Sequence, residues 1–208
     1  QRQMCIRDSF TITRYAAVDS YKVVKGELDT VFHRAPITGL TNANGTFVYK
    51  LTVTNPGNVP LNNIKIMDVL PFFGDVGVLL TSANRDSEFT PYLTSVVTAP
   101  PGITVSYSTS RNPKRTDLDP ALSDPPGAAG TFSPVAPVDL TTVGSLLFDF
   151  GTIVLAPLET RELTWTMTAP TSVIPGDIAW NSFGFRAGAT DGGTPPPPSE
   201  PIKVGVTV

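Results

Sequence analysis

Thr46-Phe47-Val48-Tyr49-Lys50-Leu51-Thr52-Val53-Thr54 alternates from end to end. Phe47, Tyr49, Leu51 and Val53 fall on one face, and Thr46, Lys50, Thr52 and Thr54 on the other. A period of two over nine residues is the pattern of a strand with one buried face. Turn signals bracket it: Asn44-Gly45 before, and Asn55-Pro56-Gly57-Asn58-Val59-Pro60 after.

The same grammar runs outward in both directions. Upstream, Tyr21 to Gly26 reads as a first strand closed by glycine, and Phe10 to Tyr15 as an earlier strand or lead-in. Downstream, Leu61 to Pro71 carries Ile64 and Ile66 on one face, with Asp68 on that same face. A carboxylate in step with two isoleucines is an anomaly to be explained. Further strands are expected near Leu93 to Thr98, Ile103 to Ser108, Leu146 to Gly151, Thr160 to Thr168, Ile178 to Arg186 and Ile202 to Val208. In the Thr160 strand, Leu163, Trp165 and Met167 share a face. Arg111 to Val138, rich in Pro, Gly, Ser and Asp, reads as a long surface loop. Gly192 to Pro198 reads as a stiff turn.

Twenty-one prolines and 17 glycines among 208 residues leave little room for long helices. Many short strands divided by turns, with no amphipathic helix, predict an all-β fold: an antiparallel β-sandwich of immunoglobulin-like type with a long central loop insertion. The length suits one such module over residues 21–208, with 10–20 as lead-in. Met4-Cys5-Ile6-Arg7-Asp8-Ser9 resembles a translated sequencing adapter, so residues 1–9 are set aside as an artefact. Cys5 is the single cysteine, which excludes an intramolecular disulfide.

Net charge is −3 with no basic stripe, which argues against nucleic acid as partner. No apolar run is long enough for a membrane-spanning helix. No Gly-x-Ser-x-Gly elbow, His-Glu-x-x-His pair or phosphate loop occurs. His33 is the only histidine and by itself supports neither zinc nor a serine triad. Asp117, Asp119 and Asp124 lie in one loop, and Asp75 and Asp86 in another. Calcium needs clustered oxygens, but the spacing lacks the glycine and closing glutamate of a helix-loop-helix site. Solvated turn carboxylates are the plainer reading, and no cofactor is expected.

The segment Tyr49, Leu51, Val53-Thr54-Asn55, Gly57-Asn58, Pro60-Leu61, Asn63-Ile64, Ile66, Asp68, Leu70-Pro71 resembles a repeat family of bacterial surface proteins. These are the conserved-repeat and SdrD B-like modules of adhesins and stalks. Lys22 to Glu27 is similar to their first strand, Ala179 to Gly184 to a late strand bearing asparagine, and Pro201 to Val206 to the closing strand. The resemblance implies an extracellular, cell-surface or cell-wall module that packs against neighbouring repeats. It also implies, in some members, an intramolecular isopeptide bond from a first-strand Lys to a late Asn, assisted by an acid.

That chemistry needs a neutral amine, a carboxyl group to move protons and a dry surround. Lys22 is the candidate nucleophile, Asp68 the shuttle and Asn181 the acceptor, with Trp165, Trp180 and Phe183 as an aromatic wall. Plainer readings stand beside each: Lys22 a solvated strand lysine with Lys25 as rival on the opposite face, Asp68 a turn cap, Asn181 an ordinary strand residue. At the level of function, three readings remain: a stalk or spacer, an adhesive module binding a host protein or glycan through the central loops, and an enzyme without a recognisable motif.

Overall fold

The structure, a computed structural model, describes residues 13–190 and 193–208. The expectations for residues 1–9, for Phe10 to Ile12 and for Gly192 lie outside the described residues. Thr13 to Ala17 run without secondary structure into the first strand.

Among the described residues, eleven strands follow in chain order: β1 (Asp19–Gly26), β2 (Gly39–Leu40), β3 (Thr46–Thr54), β4 (Leu61–Val69), β5 (Tyr92–Leu93), β6 (Thr104–Ser108), β7 (Ser145–Asp149), β8 (Thr160–Thr168), β9 (Ile178–Asn181), β10 (Phe183–Ala189) and β11 (Val204–Thr207). One sheet has the order β1-β3-β8-β5 and the second β10-β4-β7-β6, all antiparallel. A three-stranded sheet, β2-β11-β9, completes the fold, with β2 and β11 parallel. This is the predicted immunoglobulin-like sandwich. The inward rows are those the alternation marked. Phe47, Tyr49, Leu51, Val53, Leu163, Trp165 and Met167 from one sheet meet Ile64, Ile66, Leu146, Phe148, Phe183 and Phe185 from the other in one continuous core.

The turn after β3 shows why its residues are what they are. Asn55 is fully buried; its Nδ2 donates to the carbonyls of Val59 and Leu155, and its Oδ1 accepts from the Gly57 amide. One side chain thus satisfies three backbone groups that a tight Pro-Gly turn would otherwise strand.

Three expectations are corrected. Ile178 to Arg186 is not one strand. The chain breaks at Ser182, where β9, paired with β11, passes to β10, paired with β4. The central segment is also less free than a surface loop. Arg115 and Leu118 are buried, and Leu118 joins Met67, Val69, Val78 and Leu147 in a second apolar cluster on the outer face of the β4 sheet. Phe132 packs against that cluster. Gly184 lets this layer close down on β10: a Cβ there would stand 3.0 Å from Leu118 and 3.1 Å from Val78. The stretch expected as a strand at Leu93 to Thr98 is the two-residue β5 followed by an isolated bridge at Thr98.

Candidate functional site

Lys22 sits on β1 opposite Leu51, on the inward row with Val24. Asp68 sits on β4, flanked by Phe183 on β10 and Leu146 on β7, so it belongs to the facing sheet. Their side chains cross the sandwich and meet. Lys22 Nζ donates to Asp68 Oδ2, and neither side chain has measurable exposure. The same ammonium lies 3.4 Å from the carbonyl oxygen of Ser182, the residue after Asn181. Asn181 is fully buried as the last residue of β9. The two strands meet the site because the chain turns from one sheet to another at Ser182, which leaves Asn181, Ser182 and Phe183 all buried.

Three aromatic rings surround the ammonium. The centroids of Tyr49, Trp165 and Phe183 lie 5.3, 5.1 and 5.2 Å from Nζ, within cation–π range. Tyr49 and Trp165 are themselves packed at 5.7 Å between centroids. Trp180 does not belong to this wall. It precedes Asn181 on a regular strand and so points the other way, where the Lys203 ammonium covers it at 4.7 Å. Lys25, three residues from Lys22, is half-buried on the opposite face of β1 beside Phe32 and Glu27.

Burial sets the electrostatics. Desolvation lowers the Lys22 pKa from 10.5 to about 8, against the opposing pull of the Asp68 charge and hydrogen bond. At pH 7 an amine with that value is neutral in roughly a tenth of molecules, against a few in ten thousand for a free lysine. Burial, with the Asp68 charge adding to it, holds the Tyr49 phenol well above its usual range, so that ring stays neutral.

Two charged residues at the site escaped the sequence reading. Arg85 is 2% exposed, and its Nη2 stands 2.6 Å from Asp75 Oδ2. Its Nη1 donates to the Val69 carbonyl at 2.7 Å and reaches Asn181 Oδ1 at 3.4 Å. Asp75 is not the solvated turn carboxylate expected; it is fully buried and also accepts from Ser87 and the Phe72 amide. Nothing in the irregular run around Arg85 gave a periodicity to place it. Among the described residues, several polar atoms of the site have no hydrogen-bond partner: Asp68 Oδ1, Asn181 Nδ2, Tyr49 Oη, Trp165 Nε1 and Arg85 Nε. Native interiors leave few such groups, and their gathering at one place marks it as unusual.

The remaining candidates take ordinary roles. Asp124 accepts from the Thr116 amide and hydroxyl. Asp119 caps Ala121 and pairs with Arg186. Among the described residues, no three His, Cys, Asp or Glu side chains gather as a metal site would require. His33 pairs with Asp29 at 3.2 Å beside the end of β1.

No protein-family model and no curated protein matches the chain, so the resemblance of residues 48–71 to bacterial surface repeats stands on those residues alone. Solved structures resemble it remotely. They include BcpA, the major pilin subunit of Bacillus cereus (8% identity, TM-score 0.41, 92% of this chain and 40% of that one). A family 123 glycoside hydrolase from Clostridium perfringens is similar at 13% identity and TM-score 0.32, over 81% of this chain and 22% of the hydrolase. AvmM, which catalyses macrocyclization in alchivemycin A biosynthesis, is similar at 10% identity and TM-score 0.35, over 94% and 90% of the two chains. The chain therefore spans well under half of the pilin and of the hydrolase. Likenesses this distant do not separate a fibre subunit from an enzyme.

Proposed function

We propose that the chain is a structural stalk or fibre module of a bacterial cell-surface protein, cross-linked internally by an isopeptide bond between Lys22 and Asn181 with Asp68 as proton shuttle. The observation that carries this reading is the dry Lys22–Asp68 pair inside a box of three aromatic rings, with Asn181 buried one residue before Ser182, whose carbonyl faces Lys22. A buried lysine–carboxylate pair stabilises weakly at best, because desolvation offsets the attraction. A reactive amine, by contrast, needs that environment.

The steps balance. The Lys22 ammonium gives a proton to Asp68, and the freed amine attacks Asn181 Cγ. The new C–N bond forms as the carbonyl electrons move onto Oδ1. Asp68 passes its proton to Nδ2 and takes one from the former Lys22 nitrogen. The Cγ–Nδ2 bond breaks, ammonia leaves, and Asp68 ends protonated beside a neutral amide. The reaction happens once per molecule, so the module is not a turnover catalyst.

An adhesive role through the central segment has less support. That segment is anchored by Arg115 and Leu118, and its one aromatic, Phe132, packs inward. Neighbouring repeats of the same protein are the expected partners. The test is an intact mass of the folded chain. A mass lower by one ammonia, restored to full value by Lys22→Ala and by Asn181→Ala, is the expected result. A full mass in well-folded protein removes the cross-link and leaves an ordinary non-covalent sandwich.

A further inference from the structure

Resting on that reading of Lys22 and Asn181, we infer that Arg85 is a fourth member of the reacting group: its Nη1 donates to Asn181 Oδ1 and stabilises the oxyanion that forms there when Lys22 attacks. Asp68 is not placed to hold the Asn181 carbonyl as well as to move the proton. Asp68 touches Lys22 through Oδ2, while its Oδ1 has no partner, so it does not hold the asparagine carbonyl. The group aimed at that carbonyl oxygen is the guanidinium, at 3.4 Å. Ground-state contacts of this length are common for catalytic donors, which tighten as charge develops.

The guanidinium is held from behind. Asp75 fixes Nη2 at 2.6 Å, and the Val69 and Leu70 carbonyls hold the fork at 2.7 and 3.4 Å. Asp75 is in turn fixed by the Ser87 amide and hydroxyl at 3.2 and 3.0 Å. A donor locked in place before the reaction needs no reorganisation during it, and in a dry site its charge acts at full strength. The positive charge of Arg85 also contributes to lowering the Lys22 pKa, after burial, and so favours the neutral amine. Activation of the carbonyl and transfer of the proton are thus divided between Arg85 and Asp68.

The test separates rate from folding. Full-length chain is made by cell-free translation, samples are quenched in denaturant at intervals, and the fraction lacking ammonia is read by mass. Folding is followed in parallel by tryptophan fluorescence and protease resistance. Arg85→Lys keeps the charge but loses the fork, and its rate of ammonia loss per folded molecule is expected to fall by about 10²–10³-fold, as for loss of one oxyanion donor. A purely structural arginine would change stability and leave that rate alone; a wild-type rate in folded Arg85→Lys overturns the inference. A wild-type chain that folds and never loses ammonia overturns the cross-link itself. A separate crystal structure of the unreacted, neutral double variant Lys22→Met, Asp68→Asn decides the matter if Arg85→Lys does not fold. Nη1 on Asn181 Oδ1 supports the assignment, and a guanidinium turned away from the amide refutes it.

Discussion

Replacing Asn181 with alanine removes the acceptor and keeps the Lys22–Asp68 pair. Two effects follow from the structure. The bond would close a ring of about 160 residues, and in the chain-entropy model used for disulfides a ring of that size destabilises the unfolded state by about 5 kcal/mol. The variant also keeps a charged Lys22 in the core. With its pKa lowered to about 8 by burial, that charge weakens folding by about 3 kcal/mol at pH 7, a burden the neutral amide does not carry. Together they predict a loss of roughly 8 kcal/mol, or about 15–30 °C in Tm for a domain of this size. Thermal melts and guanidinium chloride unfolding, both followed by tryptophan fluorescence, are the assays. A second signature accompanies the midpoint. A ring-closed unfolded chain is more compact, so the wild type should show a shallower denaturant slope than the variant. A Tm drop under about 5 °C with equal slopes would refute the reasoning, whatever the mass spectrum shows.

The sign of the pH effect is distinctive. In Asn181→Ala the unfolded lysine holds its proton up to pH 10.5 and the folded one only to about 8, so the unfolded state binds more protons between those values. Stability should therefore rise by about 3 kcal/mol from pH 8 to pH 10.5, measurable by denaturation at stepped pH; a fall across that window contradicts the burial account. Cross-linking of nascent wild type should keep a flat rate below pH 8 and slow above it, because the reaction uses the one proton that Lys22 hands to Asp68 and the pair loses it near 8, read as the mass-loss rate. Lys25→Ala, on the outer face of β1, should leave both the mass deficit and the stability unchanged within about 0.5 kcal/mol; loss of the deficit would mean that Lys25 is the nucleophile. Asp68→Ala should block the reaction and, beyond the loss of the bond, lower stability further by about 3–5 kcal/mol, because it leaves the Lys22 charge buried alone, as thermal melts beside Asn181→Ala would report.

Much of this was legible in the residues. β3, β4 and β8 alternate cleanly because each has one face in the core, and Asp68 stood out because it broke the rule on the Ile64–Ile66 face. The break at Ser182 left no such mark. Trp180 and Phe183 flank it, and large residues on either side of a sheet switch look like an uninterrupted apolar strand. The misplacement of Trp180 was avoidable, since adjacent strand residues face opposite ways and Asn181 had already taken the inward position. Arg85 and Asp75 were beyond reach. They come from an irregular segment, and charged residues without periodicity read as solvated until a structure shows them paired in the interior.

The exposed part of the central segment, from Pro120 to Val138, lies wholly between Lys22 and Asn181 in sequence. Such a stretch is a natural target for proteases. With the two side chains joined, a cut there would open the ring without releasing a fragment: both pieces would stay one molecule even under denaturing conditions. Surface damage that would sever an ordinary sandwich would leave a cross-linked one continuous from end to end.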